Sequence, residues 1–169
     1  MTQTMTRPTL PGEPAPMSEP NAIAHVQSIL AAHELSCWSN SRDFNPEDWS
    51  ELSPQAIELL EDNGYTREDC SSDAVEDTIW QFHRSEPLSV QVRSSWYNFG
   101  EEPTEPDEFM ILISCGGPNC YIRGEYGAHG MPDEDSIRVM HSWSSQEFSL
   151  PLSDAERYAI REFACAVAS

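Results

Sequence analysis

Lysine is missing from all 169 residues: the nine basic residues are arginines, set against 29 Asp and Glu, for a formal net charge of −20. A chain so poor in cations cannot neutralise a run of phosphates, which argues against nucleic acid or anionic membrane as a direct ligand and points to a basic partner. Long apolar runs are lacking as well, and no stretch approaches the about 20 residues needed to cross a bilayer. Residues 1–18, with Pro8, Pro11, Pro14 and Pro16, contain no apolar secretory segment. The expectation is a flexible leader on a protein of the bacterial cytoplasm. The five cysteines (Cys37, Cys70, Cys115, Cys120 and Cys165) are an odd set without framework spacing, so they read as thiols.

Motifs for chemistry are scarce. There is no Gly-x-Ser-x-Gly elbow, no phosphate loop and no Gly-x-Gly-x-x-Gly run. Cys37, Cys70 and Ser142 beside His141 are the candidate nucleophiles, but acidic surroundings raise a thiol's pKa and suppress the thiolate. His25 and His33 stand eight apart on one helical stretch, and single helical histidines are more often surface or packing residues than ligands. Cys115 and Cys120 with His129 and His141 can be written as a zinc set, although four residues separate the cysteines where a zinc hairpin has two. The expectation is no enzyme, no metal and no cofactor.

The chain does contain 38% apolar residues and well-spread aromatics, enough for one core. Ile23, Val26, Ile29 and Leu30 fall at helical spacing up to about Leu35, and Ser53-Pro54 opens a second helix that Gly64 closes. A third starts near Asp73, with Val75, Ile79 and Phe82 as its buried stripe, and ends before Pro87. Alternation of Leu88, Val90 and Val92 with polar residues predicts a strand with one buried face. Phe109–Cys115 and Cys120–Tyr126 flank Gly116-Gly117-Pro118-Asn119 as a hairpin, and Ser136–Ser142 is a further strand. Ser153 and Glu156 form a capping box ahead of a closing helix. The fold class is α+β: about four antiparallel strands in a meander, with N-terminal helices and a C-terminal helix on one face. Residues 19–169 form a single domain, helical over 19–86, sheet over 87–145 and helical again over 152–168.

The segment Ser89-Val90-Gln91-Val92-Arg93-Ser94, then Trp96, Glu101-Glu102-Pro103, Glu108-Phe109, Ile111-Leu112-Ile113, Gly116-Gly117-Pro118 and Ile122-Arg123-Gly124-Glu125, resembles a group of small acidic proteins encoded by bacteriophages and integrative elements of Gram-negative bacteria. The likeness covers roughly the second half of the chain and extends to Trp143 and the closing helix. It departs at the end, where Trp143 stands alone before Ser144-Ser145 in place of a Trp-rich segment. The resemblance implies a mobile-element origin and no particular chemistry. Accessory proteins of such elements often blunt host defence, as anti-CRISPR or antirestriction proteins, and several of these inhibitors are acidic.

The acids have candidate geometries. Helical acids three or four residues apart stand about 5–6 Å apart, comparable to the phosphate intervals of DNA. Asp43 to Asp77 holds twelve acids and one arginine, a local charge of 1 − 12 = −11. Asp69, Asp73, Glu76 and Asp77 share one face if the third helix extends back to Asp69, and Glu58, Glu61 and Asp62 form a second row. A further concentration is Glu101, Glu102, Glu105, Asp107 and Glu108, held extended by Pro103 and Pro106, with Asp133, Glu134 and Asp135 on a later turn. Trp96 and Tyr97 precede that linker, and Trp49 sits among Glu47, Asp48 and Glu51. A tryptophan inside an acidic rim has the composition of a protein-binding hot spot.

The expected function is an acidic inhibitor that occupies the nucleic-acid-binding surface of a host CRISPR effector or restriction nuclease, with DNA mimicry as the expected mode. One alternative is an immunity protein for a basic nuclease toxin; another is an enzyme of a halophile, whose proteins lose lysine and gain acid. Solvated surface charge is the plain reading, and a GC-rich genome alone accounts for missing lysine.

Overall fold

Capping residues set where the helices begin. In the computed structural model, which describes residues 18–41, 44–94, 105–116, 118–143 and 146–168, helix α1 (Glu19–Ser39) starts with Pro20 in its first turn. Ser53 Oγ and Ser71 Oγ each accept the backbone N–H three residues on, at 3.2 Å, and so start α2 (Pro54–Asp62) and α3 (Ser72–Ser85). The Glu34 carboxylate of α1 accepts from the N–H and hydroxyl of Ser53, tying the start of α2 to α1. At α4 (Asp154–Ala168) the capping box is formed: Glu156 Oε2 accepts from Ser153 N–H at 2.7 Å, and Ser153 Oγ accepts from Glu156 N–H at 3.3 Å.

Between α3 and α4 runs an antiparallel sheet of β1 (Ser89–Arg93), β2 (Glu108–Ser114), β3 (Asn119–Glu125), β4 (Arg138–Trp143) and β5 (Gln146–Leu150), its neighbours in chain order. The α+β class is as the pattern predicts, but the sheet has five strands rather than four. Gln146–Leu150 escapes the periodicity because only Phe148 and Leu150 are apolar, and each is opposite a residue of β4, His141 and Val139. The sheet therefore continues past residue 145.

Cross-strand partners share a face, so the register defines the inner layer. Phe109 and Ile111 of β2, Ile122 and Gly124 of β3, Val139 of β4 and Leu150 of β5 point to the helices. They bury with Val26 and Ile29 of α1, Phe82 of α3 and Ile160 and Phe163 of α4. A second core lies beyond α1, where Ala31 and Leu35 meet Trp49, Ala56, Leu60, Cys70 and Val75. Helix α1 is thus buried on two sides, and it runs four residues past Leu35 because the second core continues along it.

One detail corrects the sequence reading. Val90 and Val92 pair with Ile111 and Phe109, so they have the inner-face orientation, yet they and Leu88 are exposed. The strand lies at the sheet edge, where α4 approaches it without burying Val90 or Val92. Gly124 explains why a strand interior tolerates glycine: a Cβ there would stand 2.7 Å from Phe109 Cζ.

Candidate acidic interface

Helices α2 and α3 pack on each other and on α1, and Glu58, Glu61, Asp62, Glu68, Asp69, Asp73, Glu76 and Asp77 are all exposed. The capping hydroxyl of Ser71 stops α3 at Ser72, so the expected four-acid helical row does not form. Asp69 belongs to the preceding turn, where it accepts from Thr66 Oγ1 at 2.9 Å. Asp73, Glu76 and Asp77 remain on the helix at spacings of three and four. The Tyr65 hydroxyl donates to Asp77 at 3.0 Å, and this bond raises the Tyr65 pKa.

Among the described residues the side-chain ion pairs are Arg93–Glu108 at 2.5 Å and Arg161–Glu162 at 2.7 Å, and His25 is hydrogen-bonded to Glu86 at 2.7 Å. None involves an acid of the α2–α3 surface. The sequence reading overlooked Trp80, which is 51% exposed on α3. Glu76 and Asp77 lie one turn before it, and the Arg84 guanidinium sits 4.5 Å from its ring. The signal was available, because position 80 falls off the Val75, Ile79, Phe82 stripe. Trp49 is the converse case: it is buried in the second core, and its acidic neighbours occupy a surface turn.

The second set of acids lies elsewhere. Trp96, Tyr97, Glu101 and Glu102 lie outside the described residues. A meander brings the β1–β2 and β3–β4 connections to the same end of the sheet, so Glu105, Asp107 and Glu108 gather there with Asp133, Glu134 and Asp135. Backbone bonds join them: Tyr126 N–H donates to Asp107 O at 2.8 Å and Asp133 N–H to Glu125 O at 2.9 Å. This end is also where five of the nine arginines collect. Arg93 binds Glu108, Arg123 stands opposite Arg138, Arg138 donates to the Asp135 carbonyl at 2.7 Å, Arg161 donates to the Pro132 carbonyl at 3.2 Å, and Arg157 to the Ile137 carbonyl at 3.4 Å. The two acidic regions therefore differ in compensation: arginines interleave the sheet end, whereas among the described residues only Arg67 and Arg84 accompany the acids of α2 and α3.

The remaining polar groups among the described residues serve separate contacts. All five cysteines are free thiols. Burial raises the pKa of Cys70 and Cys165, and burial with the nearby Glu86 charge pushes Cys120 up to about 12, away from thiolate chemistry. Cys37 Sγ lies 3.6 Å from His33 Nε2, while His25 bonds Glu86, so the two α1 histidines serve different contacts. His141 is buried opposite Cys120, with Nδ1 2.8 Å from Ser18 Oγ, whereas His129 is in the β3–β4 connection at the other end of the sheet. Among the described residues no group of three His, Cys, Asp or Glu is placed to hold a metal ion. A cleft of about 200 Å³ between α1, α3 and α4 contains His33, His83 and Glu162, and burial lowers the His83 pKa.

No protein family, curated protein or solved structure matches the chain. Among the described residues no helix is long and apolar enough to cross a membrane.

Proposed function

We propose that this protein is a non-enzymatic inhibitor of phage or mobile-element origin. It acts in the bacterial cytoplasm, where it covers the nucleic-acid-binding surface of a host CRISPR effector or restriction nuclease. The observation that carries this reading is Trp80, 51% exposed on α3 beside Arg84, next to carboxylates of α2 and α3 that form no ion pair among the described residues. The ring supplies apolar area for desolvation, and the surrounding acids match a surface that otherwise holds phosphates. The better compensated sheet end is the weaker candidate. An immunity protein against one nuclease toxin would use the same Trp80-centred surface, since a single aromatic anchor suits one cognate pocket.

The test is a tagged pull-down from a defence-competent Gram-negative lysate at about 0.1 M salt, repeated at about 0.5 M and with competitor DNA. Recovery of a CRISPR complex or restriction nuclease that DNA displaces is the expected result. It should be lost in Trp80→Ala and in the triple reversal Asp73→Lys, Glu76→Lys, Asp77→Lys. Capture that survives these changes but fails on reversal of Glu105, Asp107 and Glu108 would move the interface to the sheet end. A captured partner indifferent to DNA and salt would overturn mimicry, and protection against one toxin alone would favour immunity.

A further inference from the structure

Val90 and Val92 of the edge strand β1 and Leu88 just before it are 38%, 55% and 56% exposed. Among the described residues no strand pairs with the side of β1 away from β2. Alternate residues of an edge strand direct their N–H and C=O groups outward, a template for another strand. Natural edges are usually blunted by charge, proline or a bulge. Here the register with β2 is unbroken, proline precedes the strand at Pro87, and the one charge, Arg93, bonds back to Glu108.

We infer that β1 is a self-association edge, pairing antiparallel with β1 of a second copy about a two-fold axis at Gln91. The strand Ser89-Val90-Gln91-Val92-Arg93 is self-complementary in this register. Val90 lies opposite Val92 of the second copy on the inner face, twice over, and Gln91 lies opposite Gln91. On the outer face Arg93 meets Ser89 of the second copy, so no acid faces an acid across the seam. An isologous contact of this kind closes after two chains and produces one continuous ten-stranded sheet. The opposite edge is a poorer seam, because β5 carries Glu147.

The charge of −20 sets the condition for pairing. Two such chains repel over a Debye length of about 30 Å at 0.01 M salt but only about 8 Å at 0.15 M. Self-association should therefore strengthen with salt, opposite to capture of a basic partner.

Sedimentation equilibrium of the full chain, at about 1–200 μM and at about 0.01, 0.15 and 0.5 M salt, tests this. The expected result is the 19.0 kDa monomer at the lowest salt and twice that mass at the higher two. Val90→Lys with Val92→Lys should weaken association at least tenfold, although each lysine reduces the net repulsion between chains. Both positions are exposed, and Val90→Thr with Val92→Thr, which keeps strand-favouring β-branched residues, should weaken it in the same direction. Ser149→Lys on β5 should leave it unchanged. A monomer under every condition, association indifferent to both double variants, or loss on Ser149→Lys would each overturn the assignment.

Discussion

Replacing Gly124 by alanine should destabilise the fold by overpacking alone. Gly124 lies inside β3, and its backbone is not in the left-handed region, so alanine brings no conformational strain. The added methyl would stand 2.7 Å from Phe109 Cζ, 2.8 Å from Phe109 Cε1 and 3.1 Å from Ser136 Oγ. Neither neighbour moves freely. Phe109 is buried with its ring 5.4 Å from that of Tyr126, and Ser136 Oγ accepts from Glu125 N–H at 2.7 Å. Overpacking of this kind costs about 1–3 kcal/mol, offset by the about 0.5–1 kcal/mol that glycine itself costs within a strand. At the middle of both ranges the net loss is about 1 kcal/mol, or about 2–4 °C in Tm for a chain of this size. Urea titration followed by circular dichroism reads it directly. Phe109→Leu removes the clashing ring atoms, so the two substitutions together should cost less than their sum by about 0.5 kcal/mol or more. A neutral Gly124→Ala, or strict additivity with Phe109→Leu, would refute the close approach as the reason for glycine.

Four further outcomes are expected. Tm should rise between about 0.01 and 0.15 M salt as repulsion among the α2–α3 acids is screened, and a flat profile would show that they do not load the fold. Burial lowers the folded-state pKa of His83 and His141, so their contribution to stability is present above the ordinary histidine pKa of about 6.5 and is lost as pH falls through the lowered values. His141→Gln should therefore lose less unfolding free energy than the parent between about pH 7.5 and 5.5, and parallel losses would contradict this. Cys37 and Cys115 should react with a thiol reagent in the native state, whereas Cys70 and Cys120 should react only on unfolding, as counted by absorbance. Ser153→Ala removes both bonds of the α4 capping box that involve its hydroxyl and should cost about 1 kcal/mol in a urea titration.

Local chemistry made much of the fold legible. Ser53 and Ser153 act within one turn of their own position, so those helix starts can be read directly, and the 109–126 hairpin announces itself through its turn. What failed required long-range knowledge. The alternation of Leu88, Val90 and Val92 is real and gives the right orientation, but whether a helix covers that orientation depends on how far α4 reaches. The strand Gln146–Leu150 is recognisable only from its register with β4. At the acidic surface, the row from Asp69 was read through a helix boundary that Ser71 sets. The compensation of Glu108 by Arg93 depends on strand pairing, and Trp80 required asking which helical positions miss the core stripe.

The distribution of arginine along the fold gives the molecule a direction. Arg93, Arg123 and Arg138 lie on the outward face of the sheet, while α2 sits beyond α1 on the opposite side, its carboxylates in no ion pair among the described residues. A net negative charge arranged in this way carries a dipole moment as well as a monopole. In the field of a positive surface the protein experiences a torque before contact, turning α2 and α3 forward and the sheet to the rear. Orientational search is the factor that holds most protein association to about 10⁵–10⁷ M⁻¹s⁻¹, well below the diffusion limit. Rotation during approach reduces that search without requiring a single additional contact in the final complex.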